Sequence, residues 1–134
     1  MITDFETNFL YLSDRLEHNY NDFFNLLVPL LRDMDIKYDF LLSTKDIWAR
    51  DYMPIQVSEK QFVQFKYVPD YLYEKNLQHT ITDPKPILSN IKIDPDFRYD
   101  IKLDGGNVVK WKNKAIITET IYAENPEINK DSLE

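Results

Sequence analysis

Apolar positions along the chain follow two different periods. Phe9-Leu10-Tyr11-Leu12 and Tyr38-Asp39-Phe40-Leu41-Leu42 are short runs of strand type. Between them Phe23, Leu26, Leu27, Leu30, Leu31 and Met34 recur at the i, i+3, i+4, i+7 spacing of one helical face. Asn19, with Asp22 three positions on, gives that helix a capping-box-like start. Pro29 interrupts the stripe. An interior proline removes a backbone donor at roughly 3 kcal/mol, which predicts a kink or a restart near Pro29. The stripe itself reads as core packing.

Residues 55–57 and 61–67 read as a hairpin around Ser58-Glu59-Lys60. In the second arm Phe62, Gln64 and Lys66 face one side, and Val63, Phe65 and Tyr67 the other. Residues 99–103 are again strand-like, and 108–111 with 115–119 form a second hairpin about Lys112-Asn113-Lys114. From 68 to 98 the pattern lapses. Prolines at 69, 84, 86 and 95 and the polar run 74–83 predict one long loop there. Tyr71, Tyr73 and His79 in it either line a cleft rim or face solvent, the latter being the simpler reading. Glu124-Asn125-Pro126 reads as a helix start, with Asn125 as N-cap and Pro126 at the first helical position. The final Leu133-Glu134 has the character of a cloning remnant. These elements give an α/β fold, a mixed sheet with a packed helix, in a loose strand–helix–strand–hairpin recurrence.

A chain of 134 residues fits a single domain, and 43% hydrophobic with 14% aromatic residues is enough to bury a core. The net charge of −7 argues against nucleic acid or an anionic membrane as partner and permits a cationic one. Cysteine is absent, which excludes disulfides, cysteine metal sites and a cysteine nucleophile from this chain. His18 and His79 are the only imidazoles and share no metal-ligand spacing, so neither metal nor cofactor is expected. The acidic N-terminus lacks the order of a signal peptide, and no apolar run reaches membrane-spanning length, so the expected location is cytoplasmic.

Two stretches carry candidate chemistry. Thr44-Lys45-Asp46-Ile47-Trp48-Ala49-Arg50-Asp51-Tyr52-Met53-Pro54 places acids, an arginine and a tryptophan between two apolar runs. A buried strand would not choose these residues, because an unpaired ionised side chain costs several kcal/mol to bury. Charge beside a large aromatic suits a cleft for a cation. A plain connection in which Arg50 pairs with Asp46 or Asp51 suits the same residues. The second stretch, Leu103-Asp104-Gly105-Gly106-Asn107-Val108, holds the only two glycines in the chain. Their pairing predicts an unusual turn at positive φ or a close approach of backbone to ligand, with an ordinary hairpin turn or bulge as the alternative. Asp51 and Asp104 both lie where a strand gives way to an irregular segment. If those strands neighbour one another, the carboxylates converge on one cation, and a planar guanidinium matches such a pair bidentately. Trp48 then offers an aromatic wall, and Arg50 keeps the neighbouring acids ionised.

Taken together, Asp46-Ile47-Trp48-Ala49-Arg50-Asp51-Tyr52-Met53-Pro54-Ile55 resembles the Trp-x-Arg-Asp-x-x-Pro segment of the agmatine deiminase family, which includes bacterial-type peptidylarginine deiminases. Leu103-Asp104-Gly105-Gly106-Asn107 resembles that family's acid-Gly-Gly-Asn/Ser motif, where many relatives carry glutamate. The resemblance runs from about Phe9 to Pro126. It implies a partial pentein, an α/β propeller of ββαβ modules, and hydrolysis of a guanidinium to a ureido group and ammonia through a cysteine thiouronium. It also implies that Trp48, Asp51 and Asp104 bind the substrate, with Arg50, Gly105, Gly106 and Asn107 in support. The family's His-x-Asp motif and nucleophilic cysteine have no match here. The chain is therefore expected to be a single N-terminal portion (1–134) of such an enzyme, inactive alone, whether an engineered fragment, a truncated frame or part of a split enzyme. Its expected partners are a small cationic guanidinium, agmatine or an arginyl group, and further copies through open module faces. Alternative expectations are a peptidylarginine-deiminase-type portion and a non-catalytic domain that binds a guanidinium or a protein.

Overall fold

The computed structural model describes residues 1–129, so Leu133-Glu134 lie outside it. Strand β1 (Leu10–Ser13) pairs in parallel with β2 (Tyr38–Leu41), in register from Leu10 opposite Tyr38 to Ser13 opposite Leu41. Parallel pairing requires a crossover. Here it is made by α1 (Arg15–Asn19) and α2 (Asn21–Asp33). The break in this helical stretch falls at Tyr20, whose φ is −140° and ψ 53°, and not at Pro29. Pro29 is solvent-exposed, so water can serve the Asn25 carbonyl that loses its donor, and α2 continues through it.

The expected core stripe of α2 is mostly uncovered. Phe23, Leu26, Leu30 and Met34 are more than half exposed, and burial falls on Val28 and Leu31 instead. Apolar residues occupy so much of the circumference that periodicity did not say which half meets the sheet.

The second half-layer is one complete ββαβ unit. The hairpin β3 (Ile55–Gln56) and β4 (Phe62–Lys66) is antiparallel, and β5 (Phe97–Lys102) lies parallel to β4. The parallel return again needs a crossover, and the stretch expected as a loop supplies it. Residues 68–98 hold α4 (Asp70–Glu74), a 3-10 turn at Gln78–Thr80 and α5 (Pro84–Asn90). Asp83 caps α5 by accepting from the Lys85 amide at 3.0 Å, and Pro84 occupies the first helical position, where no donor is needed. Leu72, Ile87 and Leu88 bury this segment, and Ile87 sits fully enclosed with Leu41, Tyr52 and Tyr67 in the main core.

A second hairpin, β6 (Val108–Trp111) with β7 (Lys114–Ile117), follows a 3-10 turn at Gly105–Asn107. One face of it packs Val108 against Leu103 and Ile121, while Val109, Trp111 and Ile116 on the other face are open. Helix α6 (Thr120–Glu124) ends at Asn125, where a helix was expected to begin. The buried Asn125 amide donates to the Lys102 and Ile121 carbonyls at 2.9 and 2.7 Å and accepts from the Lys102 amide at 2.8 Å. Its side chain is committed to closing α6 onto the end of β5, so it cannot cap a following helix.

Candidate functional site

The segment from Thr44 to Pro54 is held at its start by a relay of hydroxyls. The Arg15 amide donates to Ser13 Oγ at 3.0 Å, Ser13 and Thr44 hydroxyls meet at 2.6 Å, and Thr44 Oγ1 donates to Asp14. The other Asp14 oxygen accepts from the Ser43 amide at 2.8 Å, fixing Ser43 at φ 67°. From this anchor the chain turns into the short helix α3 (Ala49–Tyr52), which carries Arg50 and Asp51. Asp51 is thus on a helical turn and not at a strand end. Tyr52, 1% exposed, fastens that turn into the core.

The two motifs meet directly. The Gly106 amide donates to Asp51 Oδ1 at 3.0 Å, and Arg50 reaches across the same junction. Its Nη2 donates to the Val108 carbonyl at 2.9 Å and its Nε to the Gly105 carbonyl at 3.4 Å. The glycines are needed for proximity. A Cβ on Gly105 would lie 2.0 Å from the Arg50 carbonyl oxygen, and one on Gly106 would lie 2.5 Å from Asp51 Oδ1. Neither glycine adopts positive φ, so that part of the expectation is corrected. The backbones of two distant segments simply pack too closely for a side chain.

Arg50 is also not an ion-pair partner of Asp46 or Asp51. Among the described residues its one salt bridge is to Asp4 at 3.4 Å, and its other donors clamp the Gly-Gly turn. Its charge still lowers the Asp51 pKa, as the last of four influences. Asn107 likewise serves the frame, accepting from the Thr118 hydroxyl at 3.1 Å. Trp48 sits one turn before Asp51, 62% exposed, with its indole open to solvent.

Electrostatically the site is a cluster of acids short of cations. Burial raises the Asp51 pKa, the Gly106 amide opposes that rise, and the charge of Asp46 adds to it. Asp104, 7% exposed, is pushed from 3.8 to about 7, first by burial and then by the charges of Asp51 and Glu124. Two neighbouring carboxylates resist ionising together, and here Asp104 is the one that retains a proton near neutrality. Tyr67 and Tyr71 lie within the field of the same acids. Both phenols are raised by burial first, with Asp104, Asp51 and Asp46 contributing to each. Neither tyrosine nor Glu124 was singled out at this site from the sequence. Tyr71 was tied only to a loop rim, and no spacing linked it to residues 20 and 33 positions away. A cavity of about 550 Å³ lies elsewhere, lined by Phe9, Tyr11, Phe62 and Lys110 on the side of Arg50 and Gly105. Neither Asp51 nor Asp104 lines it.

A carboxylate pair backed by an amide, carrying one proton, can exchange that proton for an organic cation with two donors. A crystal structure of a protein assigned as an agmatine deiminase matches this architecture with a TM-score of 0.51 at 12% identity, over 93% of this chain. The likeness is one of fold. This chain has the mixed α/β fold of part of a pentein, with one ββαβ unit between flanking pieces. It covers 36% of the matched protein. No protein-family model matches the sequence. No curated protein sequence matches it either. Among the described residues no helix is long and apolar enough to cross a membrane.

Proposed function

We propose that this chain is the N-terminal portion of an agmatine-deiminase-type hydrolase, in which Asp51 and Asp104 form half of a guanidinium site. The observation that carries the reading is the junction itself, with the Gly106 amide on Asp51 Oδ1 and Asp104, two residues before that amide, buried within the field of Asp51. An ionised pair would hold a guanidinium through charge-assisted hydrogen bonds contributing roughly 1.5–3 kcal/mol each. Binding expels the proton that Asp104 retains near neutrality, so affinity rises with pH up to and through about 7.

Conversion of agmatine to N-carbamoylputrescine needs a nucleophile, and this chain contains no cysteine. Catalysis therefore requires groups supplied from outside it. The open faces of the β6–β7 hairpin and of α2 fit that reading, as module surfaces that further modules or a second copy would cover.

Isothermal titration with agmatine at pH 8 tests the site. Saturable binding in the chain, lost in Asp51→Asn, is the expected result. Absence of binding in the unaltered chain overturns the half-site. A separate assay for ureido product is expected to stay blank with this chain alone, and turnover by a clean preparation would overturn the incomplete-enzyme reading.

A further inference from the structure

The cavity of about 550 Å³ beside Arg50 and Gly105 falls within the size range of small-molecule sites. We infer that it binds an organic acid, an apolar body ending in one carboxylate, and that Asp4 is the internal competitor for that carboxylate. Tyr11 of β1, Ile55 of β3, Phe62 of β4 and Ile93 ahead of β5 line the cavity, and each is only partly buried. Such a wall accepts an apolar body. Two cations, Arg50 and Lys110, stand in the same lining. Arg50 is held in place before any ligand arrives. Its Nε and Nη2 donate to the Gly105 and Val108 carbonyls, which leaves Nη1 to Asp4 at 3.4 Å. Lys110, on β6, has a side chain only 10% exposed, and its ammonium lies 3.5 Å from the other Asp4 oxygen.

One carboxylate thus bridges both cations, one oxygen to each. A largely buried ammonium needs an anion, and Asp4 fills that role loosely. Both distances exceed the about 2.7–2.9 Å of a close charge-assisted bond, and the Asp4 side chain is itself half-exposed. Ion pairs that open to water add little to stability. The segment that carries Asp4 is lightly attached as well. Its 3-10 turn, Asp4–Glu6, buries no residue, and Phe5 is 96% exposed. Among the described residues its main-chain tie to the body of the fold is the Ile2 amide on the Val57 carbonyl at 3.2 Å. A ligand carboxylate can therefore take the place of Asp4. One anion exchanges for another, so Arg50 and Lys110 stay neutralised. Of the other acids in the lining, Glu6 is held by the Thr3 amide and hydroxyl at 2.8 Å, and Glu59 is solvent-exposed. Neither Asp51 nor Asp104 lines the cavity, so this inference stands apart from the guanidinium reading.

The test is titration of the full chain, Asp4→Asn and Lys110→Met with 3-phenylpropionate and with its neutral amide, 3-phenylpropanamide. Amide chemical shifts read the binding, and a thermal melt checks each variant for folding. Saturable binding of the acid is expected, with shifts at Tyr11, Phe62 and Ile93 and none confined to Asp51 and Asp104. The neutral amide is expected to bind about tenfold more weakly, because it lacks the charge that both cations require. Asp4→Asn is expected to tighten binding of the acid a few-fold by removing the competitor, and Lys110→Met to weaken it about tenfold. If Asp4→Asn proves unfolded, the comparison of acid with amide and the loss in Lys110→Met decide. Equal binding of acid and amide would overturn the carboxylate assignment. A folded Asp4→Asn that binds no tighter than the unaltered chain would overturn the role of Asp4 as competitor. Absence of saturable binding in both the unaltered chain and Asp4→Asn would overturn the site. None of these outcomes depends on whether agmatine binds.

Discussion

The burial of Asp104 costs this fold stability, and the effect has a pH signature. Its pKa of about 7 in the folded chain stands well above the 3.8 of an ordinary aspartate. At about 1.4 kcal/mol for each tenfold change in proton affinity, that difference corresponds to roughly 4 kcal/mol. The sign follows from proton counting. Between pH 4 and 7 the folded state holds a proton on Asp104 that the unfolded state has released, so raising the pH through this window favours unfolding. Below pH 4 the term is absent, and above about 7 it is complete. Asn has the same shape without the charge. Asp104→Asn is therefore expected to match the unaltered chain near pH 4 and to exceed it by about 2–4 kcal/mol at pH 8, residual hydration of the carboxylate setting the lower figure. Urea unfolding of both proteins at unit pH intervals reads this difference directly, because titrations common to both cancel. A constant offset at every pH would refute the assignment of a retained proton to Asp104.

Other expectations follow from single contacts. Gly105→Ala drives a Cβ into the Arg50 backbone and should cost about 2–4 kcal/mol in urea unfolding, whereas Gly106→Ala meets only a rotatable carboxylate and should cost less while disturbing the Asp51 hydrogen bond. Equal costs for the two would contradict the geometry. Ile87→Ala should lose about 2–5 kcal/mol, since Ile87 is completely enclosed in the main core. A near-neutral result would mean that 68–98 is a loop after all.

Strand positions were legible because alternation survives even in short strands. All four arms of the two hairpins lie within one or two residues of where polarity placed them. That the two motif stretches come together was expected only on the condition that their strands neighbour one another, and the structure joins them through the Gly106 amide on Asp51. The helices of 68–98 escaped because they are five and seven residues long and hold only Leu72, Ile87 and Leu88 as buried anchors, too few to show a period. Two of the prolines that looked like loop markers, Pro69 and Pro84, stand at the starts of these helices. Asn125-Pro126 fits a helix start and a helix end equally well, and the unpaired backbone of Lys102 decided which. The reason for the glycines was not legible, because the Arg50 carbonyl that Gly105 makes room for and the Asp51 carboxylate that Gly106 makes room for each lie 55 residues away in the sequence.

The amide of Asn125 has a consequence for the order of events during synthesis. It occupies both the N–H and the C=O of Lys102, as a neighbouring strand would, two residues before Asp104. The ribosome delivers Asp51 first, and its carboxylate meets no Gly106 amide until more than fifty further residues have followed. Even then the strand end that carries Asp104 is held on one edge only, by β4 through the Leu103 amide on the Lys66 carbonyl, until Asn125 emerges to hold the other. The acid pair is thus a late product of translation, assembled from contacts of long sequence separation after the first parallel strands have paired. A nascent chain halted before Asn125 would hold both Asp51 and Asp104 and still lack the amide that closes the outer edge of β5 beside them.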